Sequence, residues 1–192
     1  MRIVYALVDY DNVCTAVSPE VRAEDVALNL NELLGALAIR TANLIPDSRE
    51  LVVRFYGGWF DRTGRITARG SWVVNQLPSF RTRIHALQVR PTLAASLVAY
   101  PEVDLVGTYR PDLGGQKMVD TMITVDAIAL AGREEQLMIV SDDEDFAPAA
   151  IASGRVATRR RMVTWLRRRR AAGDAPNDGV LQDRLAITIT TC

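Results

Sequence analysis

The sequence predicts an α/β fold with a mostly parallel central sheet, and three features carry that expectation. Short, fully apolar runs alternate with longer segments of helical spacing, the pattern of βαβ units. Two of the runs, residues 3–8 and 137–140, have no polar position inside them, as strands buried on both faces require. Acidic residues follow both runs at once, where a parallel sheet places its ligand site.

Taken in order, strands are expected over residues 3–8, 51–56, 83–89, 137–141, 162–166 and 186–190. Residues 23–42 are rich in Ala, Leu, Asn and Glu at helical spacing, and Pro46 stops that helix. Residues 66–77 read as a second helix, and residues 117–131 as a third closed by Gly132. Residues 145–152 read as a fourth, ended by Gly154. Glycine and polar residues mark 57–65, 107–116 and 171–179 as loops. Residues 90–106, bracketed by Pro91 and Pro101, fit strand or helix equally. With no internal repeat and no linker, residues 1–192 read as one domain with an arginine-rich segment at 155–170 and a C-terminal extension at 171–192.

At 192 residues, 48% hydrophobic and 24% charged, the chain can bury a sizeable core, and disorder, collagen and coiled coil are excluded. Its two cysteines, Cys14 and Cys192, are too few for a disulfide framework or a cysteine zinc site, so the expected compartment is the reducing cytoplasm. The apolar run at 3–8 is too short for a signal sequence or a membrane span, and no membrane partner is expected. The net charge is zero, yet residues 155–170 hold eight arginines and no acid, leaving the rest of the chain at −8. Such asymmetry points to a polyanionic partner, with a solvated basic surface as the alternative.

Three acidic clusters carry the chemistry. VDYDN at 8–12 supplies Asp9 and Asp11, and SDDEDF at 141–146 supplies Asp142, Asp143, Glu144 and Asp145. Brought into one crevice, these carboxylates repel one another unless a cation neutralises them. Hard oxygen ligands suit Mg²⁺ or Mn²⁺. Aspartates after strands also cap helices, so Asp143 or Glu144 alone has a structural reading too. The remaining cluster lies on the third helix, where Lys117, Asp120 and Thr124 share a polar face. Asp126 instead falls within the apolar stripe of Val119, Ile123 and Leu130, where an unpaired carboxylate costs on the order of several kcal/mol. It is either a core aspartate satisfied by backbone donors or a contributor to the crevice from below.

The order of these residues resembles a known family. D-x-x-N after the first strand (Asp9, Asn12) is followed by K-x-x-D-x-x-x-x-x-D on a helix (Lys117, Asp120, Asp126). Then comes a strand ending S-x-D-x-D-F-x-P (Ser141, Asp143, Asp145, Phe146, Pro148). This looks like the NYN domain, and more narrowly the LabA-like branch of the PIN-like nuclease superfamily, over residues 3 to about 166. The resemblance implies a three-layer α/β/α sandwich of PIN-like type and metal-dependent hydrolysis of RNA phosphodiesters. Carried over by position, Asp9, Asp120, Asp143 and Asp145 would form the acidic, metal-holding cluster, with Asn12 orienting the first carboxylate. Asp11, Lys117, Asp126, Ser141 and Asp142 stand beside them as secondary residues. The extra acids Asp142 and Glu144 depart from the family pattern and raise the negative charge that RNA must approach.

With one histidine, His85, placed in a strand, a two-histidine acid–base mechanism cannot be assembled. The expected partner is RNA, single-stranded in preference, while the oligomeric state is left open, a homodimer included. Arg167, Arg168, Arg169 and Arg170, after the fifth strand, are expected to grip phosphates, as are Arg62 and Arg65. Trp59 and Phe60, in the same loop as Arg62, are expected to stack on bases, and Trp165 to sit in the core. Two rival readings remain: a haloacid-dehalogenase-type phosphatase using Asp9 as nucleophile and Asp11 as acid–base, and a non-catalytic module of the same fold that binds nucleic acid.

Overall fold

The computed structural model describes residues 2–13, 23–57, 59, 65–66, 68–76, 83–84, 87–93, 109–110, 115–116, 119–133, 136–141, 143–157, 163–167 and 188–191. Its first strand, β1 (Arg2–Asp9), leads into a single helical turn, α1 (Tyr10–Val13). There follow α2 (Ala23–Leu44), β2 (Ser48–Tyr56), α3 (Ala68–Gln76), β3 (Arg83–Ile84) and β4 (Leu87–Leu93). The second half holds β5 (Tyr109–Arg110), β6 (Gly115–Gln116), α4 (Val119–Ala131), β7 (Gln136–Val140), a 3₁₀ turn (Glu144–Phe146), α5 (Ala147–Val156), β8 (Val163–Arg167) and β9 (Thr188–Thr191).

Among the described residues the main sheet has the order β3-β4-β2-β1-β7-β8-β9. Every pairing in it is parallel except β3 with β4. The chain winds from β1 outward to β2 and β4, then crosses back to β7 and winds outward to β8 and β9. The direction of winding therefore reverses between the adjacent strands β1 and β7. Crevices for ligands open at the carboxyl ends of strands at such a switch point.

Two apolar clusters sandwich the sheet and account for its three layers. On one face Val4, Ala6 and Val8 of β1, with Leu51, Val53 and Phe55 of β2, pack under Leu34, Leu37 and Ala38 of α2, and Trp72 of α3 joins them. On the other, Leu7, Leu137, Ile139 and Val163 meet Ile123, Ala127 and Leu130 of α4 and Ala149 and Ala150 of α5. The two-residue alternation along β1 thus feeds both layers, which is why the run has no polar gap. Small residues let the helices approach: Ala127 and Ala131 of α4 lie in the same cluster as Ala149 and Ala150 of α5. Burying a side chain such as Ile139 stabilises the fold by about 1.5–3 kcal/mol, and truncating it to Ala costs about 2–5 kcal/mol.

Several boundaries differ from the sequence expectation. Residues 83–89 are not one strand: Arg83 pairs antiparallel with Gln88 and Ile84 with Leu87, so a hairpin divides them. Pro91 lies inside β4, paired parallel opposite Val53, at a point where β3 no longer lies alongside. Prolines are tolerated on edge strands, where a missing ladder donor need not leave a partner unpaired. The fourth helix begins at Ala147, with Pro148 in its first turn, and runs through Gly154 to Val156. Asp145 belongs to the 3₁₀ turn instead. Within the expected loop 107–116, Tyr109–Arg110 and Gly115–Gln116 form a two-stranded ribbon. The C-terminal residues Thr188–Thr191 extend the sheet beside β8. His85 and the loop at 171–179 lie outside the described residues.

Candidate functional site

β1 and β7 end side by side, Val8 opposite Val140, so the residues that follow them meet at the switch point. Asp9 lies there, only 5% exposed. Its Oδ2 accepts a hydrogen bond from Ser141 Oγ at 3.0 Å, and its Oδ1 accepts one from the Asn12 backbone N–H at 3.3 Å. The buried Ser141 hydroxyl in turn accepts from the Asp143 backbone N–H at 3.1 Å. One hydroxyl therefore joins the first acidic motif to the last across 132 positions of sequence. Asn12 holds Asp9 through its main chain, a consequence of the α1 turn that follows the strand.

Asp143, half-buried and extended in backbone, caps the 3₁₀ turn: its Oδ1 accepts from the Asp145 N–H at 2.9 Å. Phe146 closes that turn by inserting, fully buried, into the α4–α5 cluster. Glu144 and Asp145 are exposed. Tyr10 anchors α1 from the opposite layer. Its ring meets Phe55 edge-on at 6.0 Å and Trp59 at 5.0 Å, which pins the backbone directly after Asp9.

Asp120 is exposed in the first turn of α4, and Thr124 Oγ1 donates to its carbonyl at 2.8 Å. Because Ala131 is separated from Gln136 of β7 by a short link, the carboxyl end of α4 lies at the amino edge of the sheet. Thirteen residues at a helical rise span about 20 Å, which returns the first turn to the rim that holds Asp9. Packing of α4 against the 3₁₀ turn agrees with this direction. Among the described residues no group of three or more His, Cys, Asp or Glu side chains is assembled as a metal site.

A family model for the NYN domain matches residues 4–164. The chain belongs to the NYN domain family. This is a PIN-like nuclease domain, and its α/β architecture agrees with the sheet and layers described above. Neither the curated proteins nor the solved structures contain a match to the chain.

Within this NYN domain, Asp126 is neither unpaired nor part of a dry stripe, and the donors it meets are side chains of β2 rather than the expected backbone groups. It is partly exposed, and its Oδ2 accepts from Arg54 Nη1 at 3.1 Å and from the Tyr56 hydroxyl. Arg54 also lies over the Tyr5 ring, 5.1 Å from its centroid. Burial, reinforced by the hydrogen bond to the Asp126 carboxylate, pushes the Tyr56 phenol far above its ordinary pKa. Burial opposes the Arg54 charge, but Tyr56 and Asp126 outweigh it and raise the guanidinium pKa. Sequence reasoning missed Tyr56, Arg54 and Tyr10. The available signal was period two along β2, which sets Arg54 and Tyr56 on the α4 face.

Trp59 is not a stacking platform. It is 1% exposed, and its Nε1 donates to the Phe55 carbonyl at 3.2 Å, so the indole is a core side chain. Arg65 is exposed. Asp11 lies in α1, and Arg167 ends β8 at the carboxyl rim. Lys117, Asp142, Phe60, Arg62, Arg168, Arg169 and Arg170 lie outside the described residues. Among the described residues no helix is long and apolar enough to cross a membrane.

Proposed function

We propose that this NYN domain is a cytoplasmic, metal-dependent ribonuclease that hydrolyses phosphodiester bonds of single-stranded RNA at the carboxyl ends of β1 and β7. The observation that carries this reading is the coupling of Asp9 to the Asp143 segment through Ser141, which draws the first and last acidic motifs to one switch point. Membership of a nuclease family supports the reaction class over phosphomonoester hydrolysis through Asp9 and Asp11.

The donor set fits Mg²⁺ or Mn²⁺. Magnesium keeps most of its waters and is commonly held by one or two carboxylates together with substrate phosphate, so a preformed cage of three acids is not required. Asp9 and Asp143 would hold the ion, with Asp120 and Asp145 completing its surroundings from the rim. When bound, the ion supplies charge neutralisation at the scissile phosphate and activation of water. The chain's own part is to fix Asp9 through Ser141 and the Asn12 N–H, so that its carboxylate needs no reorganisation as charge develops. Arg167, Arg168, Arg169 and Arg170, with Arg62 and Arg65, would offset the negative field of the acids and draw in the phosphate backbone.

Cleavage of single-stranded RNA, duplex DNA and a generic phosphate monoester, each with Mg²⁺, with Mn²⁺ and with excess chelator, tests the proposal. Cation-dependent cleavage of RNA is expected. Full RNA cleavage in chelator overturns the metal mechanism, and turnover of the monoester alone overturns the nuclease.

A further inference from the structure

The polar cluster formed by Arg54, Tyr56 and Asp126 lies beside the acidic crevice without belonging to it. Tyr56 is the last residue of β2 and is the register partner of Asp9 on β1. Alternation along the two strands puts Asp9 and Tyr56 on the same face, the one covered by α4. The Tyr56 ring is buried, yet its hydroxyl donates to Asp126 on α4, and Arg54, two residues earlier on β2, donates to the same carboxylate oxygen. Two donors from one strand thus converge on one oxygen of one helix. Such a bond fixes both the height of α4 along the sheet and its rotation about its own axis.

That helix also carries Asp120. Asp126 lies six positions after Asp120, about 9 Å along the axis, so a slide or roll at Asp126 is transmitted to the first turn. The buried apolar residues of α4, Ile123, Ala127, Leu130 and Ala131, hold the helix to the sheet through non-directional contacts, which a hydrogen bond to a fixed strand position supplements with a defined register. We infer that Asp126 is a positioning residue for the nuclease reaction, clamping α4 to β2 through Tyr56 and Arg54 and so setting where Asp120 stands on the rim that holds Asp9. The inference rests on the proposed ribonuclease reading. It gives Asp126 a role distinct from that of a metal ligand.

The test uses Asp126→Ala, Tyr56→Phe and the double variant, with steady-state cleavage of single-stranded RNA and hydrogen exchange of the backbone amides as readouts. Each single variant should lower kcat about tenfold or more with KM changed by less than about twofold, as a small misplacement of one group does. The double variant should be no worse than Asp126→Ala, because loss of that carboxylate already removes the Tyr56 bond together with the Arg54 pair. Amides of α4 should exchange about tenfold faster in both variants, while those of β1 and β7 keep their protection. Loss of activity in Asp126→Ala with full activity in Tyr56→Phe marks a direct ligand and overturns the clamp. So do additive effects, or equal loss of protection in α4, β1 and β7. If the wild type does not cleave RNA, the ribonuclease reading fails by itself. Exchange then decides the clamp: faster exchange confined to α4 supports it, and unchanged α4 amides overturn it.

Discussion

Ser141 Oγ donates a hydrogen bond to Asp9 Oδ2 at 3.0 Å while accepting one from the Asp143 backbone N–H at 3.1 Å. A buried hydroxyl that serves both motifs sets the orientation of one carboxylate and the path of the chain that presents the other. Ser141→Ala removes both bonds and leaves a buried carboxylate oxygen and an N–H without that partner. The expected cost is about 1–3 kcal/mol of stability, read from urea unfolding. RNA cleavage should fall about 10–100-fold. Wild-type activity in this variant would show that Asp9 is oriented by other groups.

Asp143 has two separable roles, a cap and a proposed metal ligand. Asp143→Asn keeps a side-chain oxygen for the Asp145 N–H, so it should fold like the wild type and lose nearly all activity. Asp143→Ala loses the cap as well and should unfold about 0.5–2 kcal/mol more easily. The pair is read by thermal unfolding and cleavage together. An active Asp143→Asn would reduce the residue to its cap.

What the sequence reveals of the fold and the site follows from the range of each signal. The apolar runs ending in acids located β1, β7 and their meeting place, because burial on both faces leaves no polar gap and the break to Asp9 or Ser141 is abrupt. The partners of Asp126 were not legible. Arg54 and Tyr56 lie 72 and 70 positions away, and only β2 beside β1 brings them under α4. Glycines beside Trp59 suggested an exposed loop, yet its indole N–H finds the Phe55 carbonyl and turns the ring inward. The reversal between Ile84 and Leu87 carries no Gly, Pro, Asn or Asp, so residues 83–89 gave no sign of a hairpin.

Tyr56 makes stability depend on alkaline pH. Its folded pKa lies above the ordinary tyrosine value, so its contribution is fully present below about pH 10 and is lost as pH rises beyond that. The difference in unfolding free energy between wild type and Tyr56→Phe should therefore be flat from about pH 7 to 9 and fall in favour of the variant above about pH 10. A constant difference through the alkaline range would mean that the phenol ionises equally in both states.

The arginines should act on binding. Each phosphate contact on a single strand contributes about 0.7 to the slope of log affinity against log salt. Replacing Arg167, Arg168, Arg169 and Arg170 by Ser should weaken RNA binding and flatten that slope, with turnover at saturation little changed. An unaltered slope would transfer the phosphate contacts to other residues, with Arg62 and Arg65 the next to replace.

In the proposed reaction the Asp9 carboxylate at the end of β1 is indispensable, and Asp11 is not. Single-turnover cleavage of single-stranded RNA by Asp9→Asn and by Asp11→Asn, at matched fold and saturating Mn²⁺, tests it most directly. Asp9→Asn should lose at least about 100-fold, while Asp11→Asn should stay within about tenfold of the wild type. Wild-type cleavage by Asp9→Asn, or equal severe losses in both variants with a trapped aspartyl phosphate, would contradict it.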